Sequence, residues 1–205
     1  MMNENYIIRL LFPSSFHEYY LKENFDRKKL IDYCYLQKKL DPEGRKNRSN
    51  NGGWHSKTYK INDDSPISDV LKKGLANSLF STIRKNLSLT IEYWIMILDK
   101  NAYHNAHFHP NSHCSGVLWI KIPKNSGDTR FTNPFLFQGY NEIEAYVDKF
   151  QMQTNTFNSY DYHPQEGLMV TFPSYVFHEV RPNKTNEDRI AVSYNISFND
   201  PDIAL

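Results

Sequence analysis

His107 and His109 stand two residues apart in the stretch NAHFHPNSHCSGVLWIKIP, residues 105–123, where an apolar β-type run begins. Side chains alternate between faces along an extended backbone, so both imidazoles project from one side. Far downstream, FPSYVFHEV brings His178 to the end of another strand-like run, and eleven residues later RIAVSYNISF starts with Arg189. Three neutral imidazoles bind a first-row divalent metal and leave coordination positions open for other ligands. On these residues alone the centre suits an oxygen-activating iron, or a zinc whose bound water becomes a nucleophile near neutral pH. Arg189 adds a different capacity. A guanidinium on the strand after the last histidine pairs a carboxylate through two parallel hydrogen bonds, as a chelating oxo-acid would require. The plainer role for Arg189 is an ion pair with its neighbours Glu187 or Asp188. His104 and His113 flank the close pair and suit supporting or gating roles, whereas His17, His55 and His163 have no evident ligand partners.

These side chains need rigid elements to position them. The runs LTIEYWIMIL, SGVLWIKIP, LMVTFP and RIAVSYNISF read as strands separated by turns. In the last run Arg189, Ala191, Ser193, Asn195 and Ser197 share one face, and Ile190, Val192, Tyr194, Ile196 and Phe198 share the other. A barrel whose interior is a ligand pocket and whose outer face is covered by helices accounts for both faces; a sheet open to water on one side gives the same alternation. Two helices precede the strands. Asp26 can cap one carrying Leu30, Tyr33, Leu36 and Leu40, and Ser68 or Asp69 can cap another carrying Leu71, Leu75, Leu79, Ile83 and Leu87. Residues 6–20 read as strand, turn and strand, and residues 41–53 as a polar surface loop leading into an extended piece around Trp54 and His55. Residues 132–165 form a long aromatic-rich insertion, suited to a lid or to a satellite core beneath a surface excursion.

The chain has 205 residues, enough for one domain spanning 1–205. With 24 Lys and Arg against 23 Asp and Glu, there is no global basic field to make nucleic acid or an anionic membrane the default partner. Cys34 and Cys114 lie 80 residues apart without metal-binding spacing, which suits a reducing, cytoplasmic setting. The early run IIRLLF is short, contains Arg9 and lacks a small-residue cleavage site, so it reads as neither signal peptide nor membrane span.

Four segments in register, SNNGGWHS (49–56), HFHPNSHCSGVLWI (107–120), GLMVTFPSYVFHEV (167–180) and EDRIAVSYNI (187–196), resemble the 2-oxoglutarate and Fe(II)-dependent oxygenases of the small bacterial and phage type. The resemblance implies a mainly β protein, a double-stranded β-helix (jelly roll) backed by N-terminal helices. It implies His107, His109 and His178 as catalytic iron ligands and Arg189 as the anchor for the far carboxylate of 2-oxoglutarate. By the same likeness the protein is a dioxygenase that hydroxylates a substrate C–H bond while O2 and 2-oxoglutarate give succinate and CO2. Three positions depart from the pattern. The wider superfamily places Asp or Glu where His109 stands, so the metal keeps one more positive charge here. Ala191 occupies a position that is often serine, with Ser193 on the same face as a substitute in the cosubstrate site, and Trp119 replaces a tyrosine in that site. Two other functional classes fit the same residues: a three-histidine enzyme without 2-oxoglutarate, either cupin-like or zinc-dependent, and a non-catalytic jelly-roll binding protein. A peptide side chain, a nucleotide or a small metabolite would each serve as primary substrate, and the oligomeric state is not written in the residues.

Overall fold

The computed structural model describes residues 14–21, 25–46, 48–83, 87–135, 147–154 and 157–199. Two long strands, β5 (Ser88–Leu98) and β12 (Arg189–Asn199), form its centre. They run antiparallel along their whole length, from Arg189 opposite Leu98 to Asn199 opposite Ser88. On its other edge β12 meets β7 (Cys114–Lys121), followed by β10 (Leu168–Pro173) and β1 (His17–Tyr20). Beyond β5 lie the short β3 (Trp54–His55) and β4 (Tyr59–Lys60), which complete a seven-stranded sheet. The facing sheet has five strands in the order β2 (Asn50–Asn51), β6 (Tyr103–His107), β11 (His178–Val180), β8 (Thr129–Thr132) and β9 (Ser159–Tyr162). All pairings are antiparallel. This is the jelly-roll arrangement the sequence predicts.

The alternation in β12 resolves in favour of an enclosed pocket. Ile190, Val192, Tyr194 and Ile196 are fully buried against the helices on the outside of the large sheet. On the opposite face, Ala191 joins Trp119, Phe131 and Phe172 between the sheets, and Arg189, Ser193, Asn195 and Ser197 line a cavity. Where β7 passes beneath Tyr194, only glycine fits: a Cβ on Gly116 would overlap the tyrosine ring. That ring is fixed at its far end, 2.6 Å from Thr171 Oγ1 and 3.2 Å from Val170 O.

Helix α1 (Arg27–Leu40) starts at Asp26, whose carboxylate accepts from Lys29 N at 3.0 Å. It buries Leu30 and Cys34, whereas Leu36 and Leu40 of the predicted stripe face solvent. Helix α2 (Pro66–Ala76) differs from expectation at both ends. Ser65 caps it, with Ser68 N donating to Ser65 Oγ, and Pro66 follows where a missing N–H costs nothing. The helix stops at Ala76 and a 3₁₀ turn, Leu79–Ser81, carries Leu79 into the core. A four-residue step turns about 400°, so a leucine stripe at that spacing rotates off the core face after two or three steps, and the helix has no reason to continue. The insertion contains a helix, α3 (Asp148–Thr154), and β9, which extends the smaller sheet through β8. The strand expected over residues 6–12 and the aromatic residues 137–146 lie outside the described residues. Among the described residues no helix is long and apolar enough to cross a membrane.

Candidate metal centre

Pairing of β6 with β11 sets His107 directly opposite His178. His109 follows on the loop beyond β6, where its backbone N–H donates to Ser174 O at 3.0 Å. Ser174 N–H in turn donates to His113 O, and Ser174 Oγ lies 2.9 Å from Ser112 Oγ, so the HPNSHCS segment and the FPS turn hold each other. One nitrogen from each of His107, His109 and His178 falls within 4.8 Å of the other two. Ring centroids are 4.3 Å apart for His107 and His178, and 5.2 Å from His109 to each.

The tautomers are set by the backbone. His107 Nδ1–H donates to Asn105 O at 2.7 Å and His178 Nδ1–H to Val176 O at 3.0 Å, which leaves the Nε2 lone pairs of both rings free to bind metal. Burial disfavours the imidazolium throughout. It lowers the pKa of His107, pushes His109 down to about 4, and pushes His178 down to about 3, with neighbouring histidines adding to the effect in the last two. At neutral pH all three are therefore uncharged donors. Phe172 and Phe131 wall the His178 side.

The three histidines open on a cavity of about 610 Å³ that runs between the sheets, and Arg189 lines the same cavity. Arg189 is 1% exposed, and among the described residues its Nε and one terminal nitrogen have no hydrogen-bond partner. Burial lowers its pKa to about 10, which still leaves it charged at neutral pH. Asp128 is the carboxylate whose charge reaches it, without an ion pair, and Asp128 itself pairs with His163; Glu187 pairs with Lys121 at 3.3 Å, and Asp188 accepts from Tyr35 Oη at 2.9 Å. Asn183, fully buried, braces the loop before Arg189 by donating to Leu98 O and Glu187 O.

Ser193 also lines the cavity, its hydroxyl 3.9 Å from Met96 Sδ. Trp119 lies fully buried one strand over, stacked on Tyr162 at 5.4 Å, with its Nε1 unpartnered among the described residues. His104 and His55, marked in the sequence only as a flanking and an unpartnered histidine, both line the cavity. His104 is 3% exposed; its Nδ1 lies 3.0 Å from Ser49 Oγ, and its Nε2 is buried without a partner. His55 stacks on Trp94 at 5.9 Å, and Trp94 reaches His109 at 5.7 Å. His113 turns away, accepting from Phe198 N, and His163 pairs with Asp128. A convergent set of neutral nitrogens fits a divalent iron, and a charged, unpaired guanidinium in the same cavity fits a carboxylate of a chelating ligand.

Comparison with known proteins agrees with this chemistry. Residues 92–195, half of the chain, match the family described as "Putative 2OG-Fe(II) oxygenase". No curated protein matches. Among solved structures, a prolyl-4-hydroxylase of Pseudomonas putida is 17% identical with a TM-score of 0.59, over 91% of this chain and 94% of that one. HygX of Streptomyces hygroscopicus, solved with nickel and 2-oxoglutarate bound, is 11% identical with a TM-score of 0.56, over 90% and 82%. A Trichoplax adhaerens prolyl hydroxylase, in complex with a hypoxia inducible factor peptide fragment, is 11% identical with a TM-score of 0.57, over 83% and 77%. At these identities the likeness to solved structures is one of fold.

Proposed function

The chain belongs to the 2OG-Fe(II) oxygenase family, whose cofactors are Fe(II) and 2-oxoglutarate, and on that premise we propose that it hydroxylates a substrate held in the cavity between its sheets. His107, His109 and His178 hold the iron, and Arg189 takes the far carboxylate of 2-oxoglutarate. When bound, metal and cosubstrate supply activation of O2 coupled to conversion of 2-oxoglutarate to succinate and CO2. The protein's own residues do the rest. Asn105 O and Val176 O fix the ring orientations of His107 and His178, so their lone pairs remain aimed at one point. Phe131 and Phe172 keep water from the His178 side, and Asn183 holds the loop that delivers Arg189. His104 brings a second buried nitrogen, the unpartnered Nε2, into the same cavity, with its Nδ1 held 3.0 Å from Ser49 Oγ. Ser193 and Trp119 line and back this end of the site.

The observation that carries the reading is Arg189, a fully buried cation with unpartnered donors in the cavity that the three histidines share. A structural arginine so deeply buried would have a carboxylate partner from the fold. Anaerobic titration of Fe(II)-loaded protein with 2-oxoglutarate tests it. A saturable visible charge-transfer band, absent in His178→Ala, is expected. Bound iron with no band at saturating 2-oxoglutarate would overturn the cosubstrate assignment.

A further inference from the structure

The cavity is longer than the cosubstrate site, and its two ends differ in charge. At one end Arg189, through its Nε and one terminal nitrogen, and His104, through its Nε2, bring nitrogens without hydrogen-bond partners among the described residues. Along β5, Glu92, Trp94 and Met96 alternate onto the cavity face, with Asn195, Ser193 and Ala191 opposite them on β12. Among the described lining residues Glu92 is the one carboxylate. It is half-buried, and no ion pair joins it to any described residue. No described neighbour forms an ion pair with it, although Arg48 also lines the cavity. Lys60 stands opposite in the β4–β5 register with an exposed side chain and no ion pair to Glu92, and Asn195 Oδ1 accepts from Ser115 Oγ at 2.8 Å. A half-buried carboxylate that lines a cavity and forms no ion pair is a recognition group for a cation.

Trp94 supplies the second half of the recognition. It lies two residues along the strand from Glu92, about 7 Å away, and touches His109 on its cavity side while His55 stacks parallel on it at 9°. An indole backed on one side by His55, tilted at 36° to His109 and lining the cavity, offers an apolar, electron-rich wall to an aliphatic stem that ends in a positive group.

We propose that Glu92 and Trp94 form the substrate subsite and select a substrate bearing an alkylammonium or guanidinium group, its stem laid along Trp94 towards the three histidines. The proposal rests on the oxygenase reading of this cavity. It also separates the two ligands by sign: the dianionic cosubstrate goes to the Arg189 end and the cationic substrate to the Glu92 end, so neither competes for the other's seat.

The test uses the Fe(II)-loaded full chain without oxygen, with and without 2-oxoglutarate, and three probes: Nα-acetyl-lysine amide, the matching norleucine derivative and the matching glutamate derivative. Broadening of probe proton signals by the paramagnetic iron reports binding near the metal. The lysine probe is expected to bind about tenfold more tightly than the other two, the discrimination of one charge-assisted hydrogen bond. Glu92→Gln should erase that preference, and Glu92→Lys should transfer it to the glutamate probe. Equal affinity for all three probes, no binding of the lysine probe, or a preference that survives Glu92→Gln would overturn the inference. 2-Oxoglutarate binding is followed in the same samples through its own absorption. Its failure would remove the cosubstrate assignment while leaving the probe result to judge Glu92.

Discussion

Replacing Arg189 by methionine should make the ligand-free protein more stable and the cosubstrate complex much weaker. Burial drops the guanidinium pKa from 12.5 to about 10. At 1.36 kcal/mol per pH unit that corresponds to roughly 3 kcal/mol of desolvation carried by the fold before any ligand arrives. Methionine has a similar length, fills much of the same space and needs no partner, so a gain of about 1–3 kcal/mol in unfolding free energy is expected. The opposite sign applies to binding. A pair of charge-assisted hydrogen bonds to a carboxylate is worth roughly 3–4 kcal/mol, so the 2-oxoglutarate dissociation constant should rise about 10²–10³-fold. Urea unfolding of the metal-free protein measures the first quantity, and calorimetric titration of the nickel-loaded protein with 2-oxoglutarate measures the second. Metal content should be unchanged, since Arg189 is outside the cluster of three histidines. A variant that is less stable than its parent and binds 2-oxoglutarate within threefold of it would show that Arg189 is a structural cation, and the clamp assignment would be refuted.

Three other outcomes follow from the same geometry. Because His109 and His178 have folded pKa values of about 4 and about 3, the unfolded chain binds more protons than the folded one as pH falls below 6.5. The metal-free protein should therefore lose stability on acidification at roughly 2 kcal/mol per pH unit for the two together between pH 6 and 4; a flat profile of urea midpoints over that interval would contradict their burial as neutral rings. Gly116→Ala should cost about 1–3 kcal/mol of unfolding free energy, because the added methyl group meets a Tyr194 ring pinned at Thr171 and Val170. Asn183→Ala leaves the buried Leu98 carbonyl without this donor, while Glu187 O keeps Thr185 Oγ1, so it should cost about 1–2 kcal/mol and also weaken 2-oxoglutarate binding through the loop before Arg189; unfolding curves and the calorimetric titration read the two effects separately.

Much of the architecture is legible in the residues because it rests on short-range alternation. The period of two in β12 assigns Ile190, Val192, Tyr194 and Ile196 to one face and Arg189 and Ser193 to the other without any knowledge of what covers each. The HxH spacing and the remote His178 are legible for the same reason, since strand pairing brings the ends of β6 and β11 together. What stays hidden depends on partners far away in sequence. His104 looks like any flanking histidine until the fold buries its Nε2 in the cavity, and His55 becomes a cavity residue only because β3 pairs with β5. Glu92 and Trp94 fall on one face of the LTIEYWIMIL strand, and alternation shows that two faces exist without showing which one is enclosed. The start of α2 was recoverable from Ser65 followed by Pro66, a stronger signal than the leucine spacing that placed it later. The helix and strand within the insertion lack periodicity strong enough to announce them, and β9 forms because β8 offers a free edge.

The two faces of β12 give the protein a way to change its chemistry without risking its foldedness. Even-numbered positions from 190 to 196 are committed to the helix-covered core, while 189, 193, 195 and 197 line the cavity, with Asn195 also bonded to Ser115. Mutations on the first set act on whether the chain folds, and those at Ser193 and Ser197 act on what is recognised. A library randomised at Ser193 and Ser197 together with Glu92 on the neighbouring strand, with Asn195 kept for its bond to Ser115, would search ligand preference at nearly constant stability. A single-residue deletion within the strand would exchange the two sets and abolish both properties together.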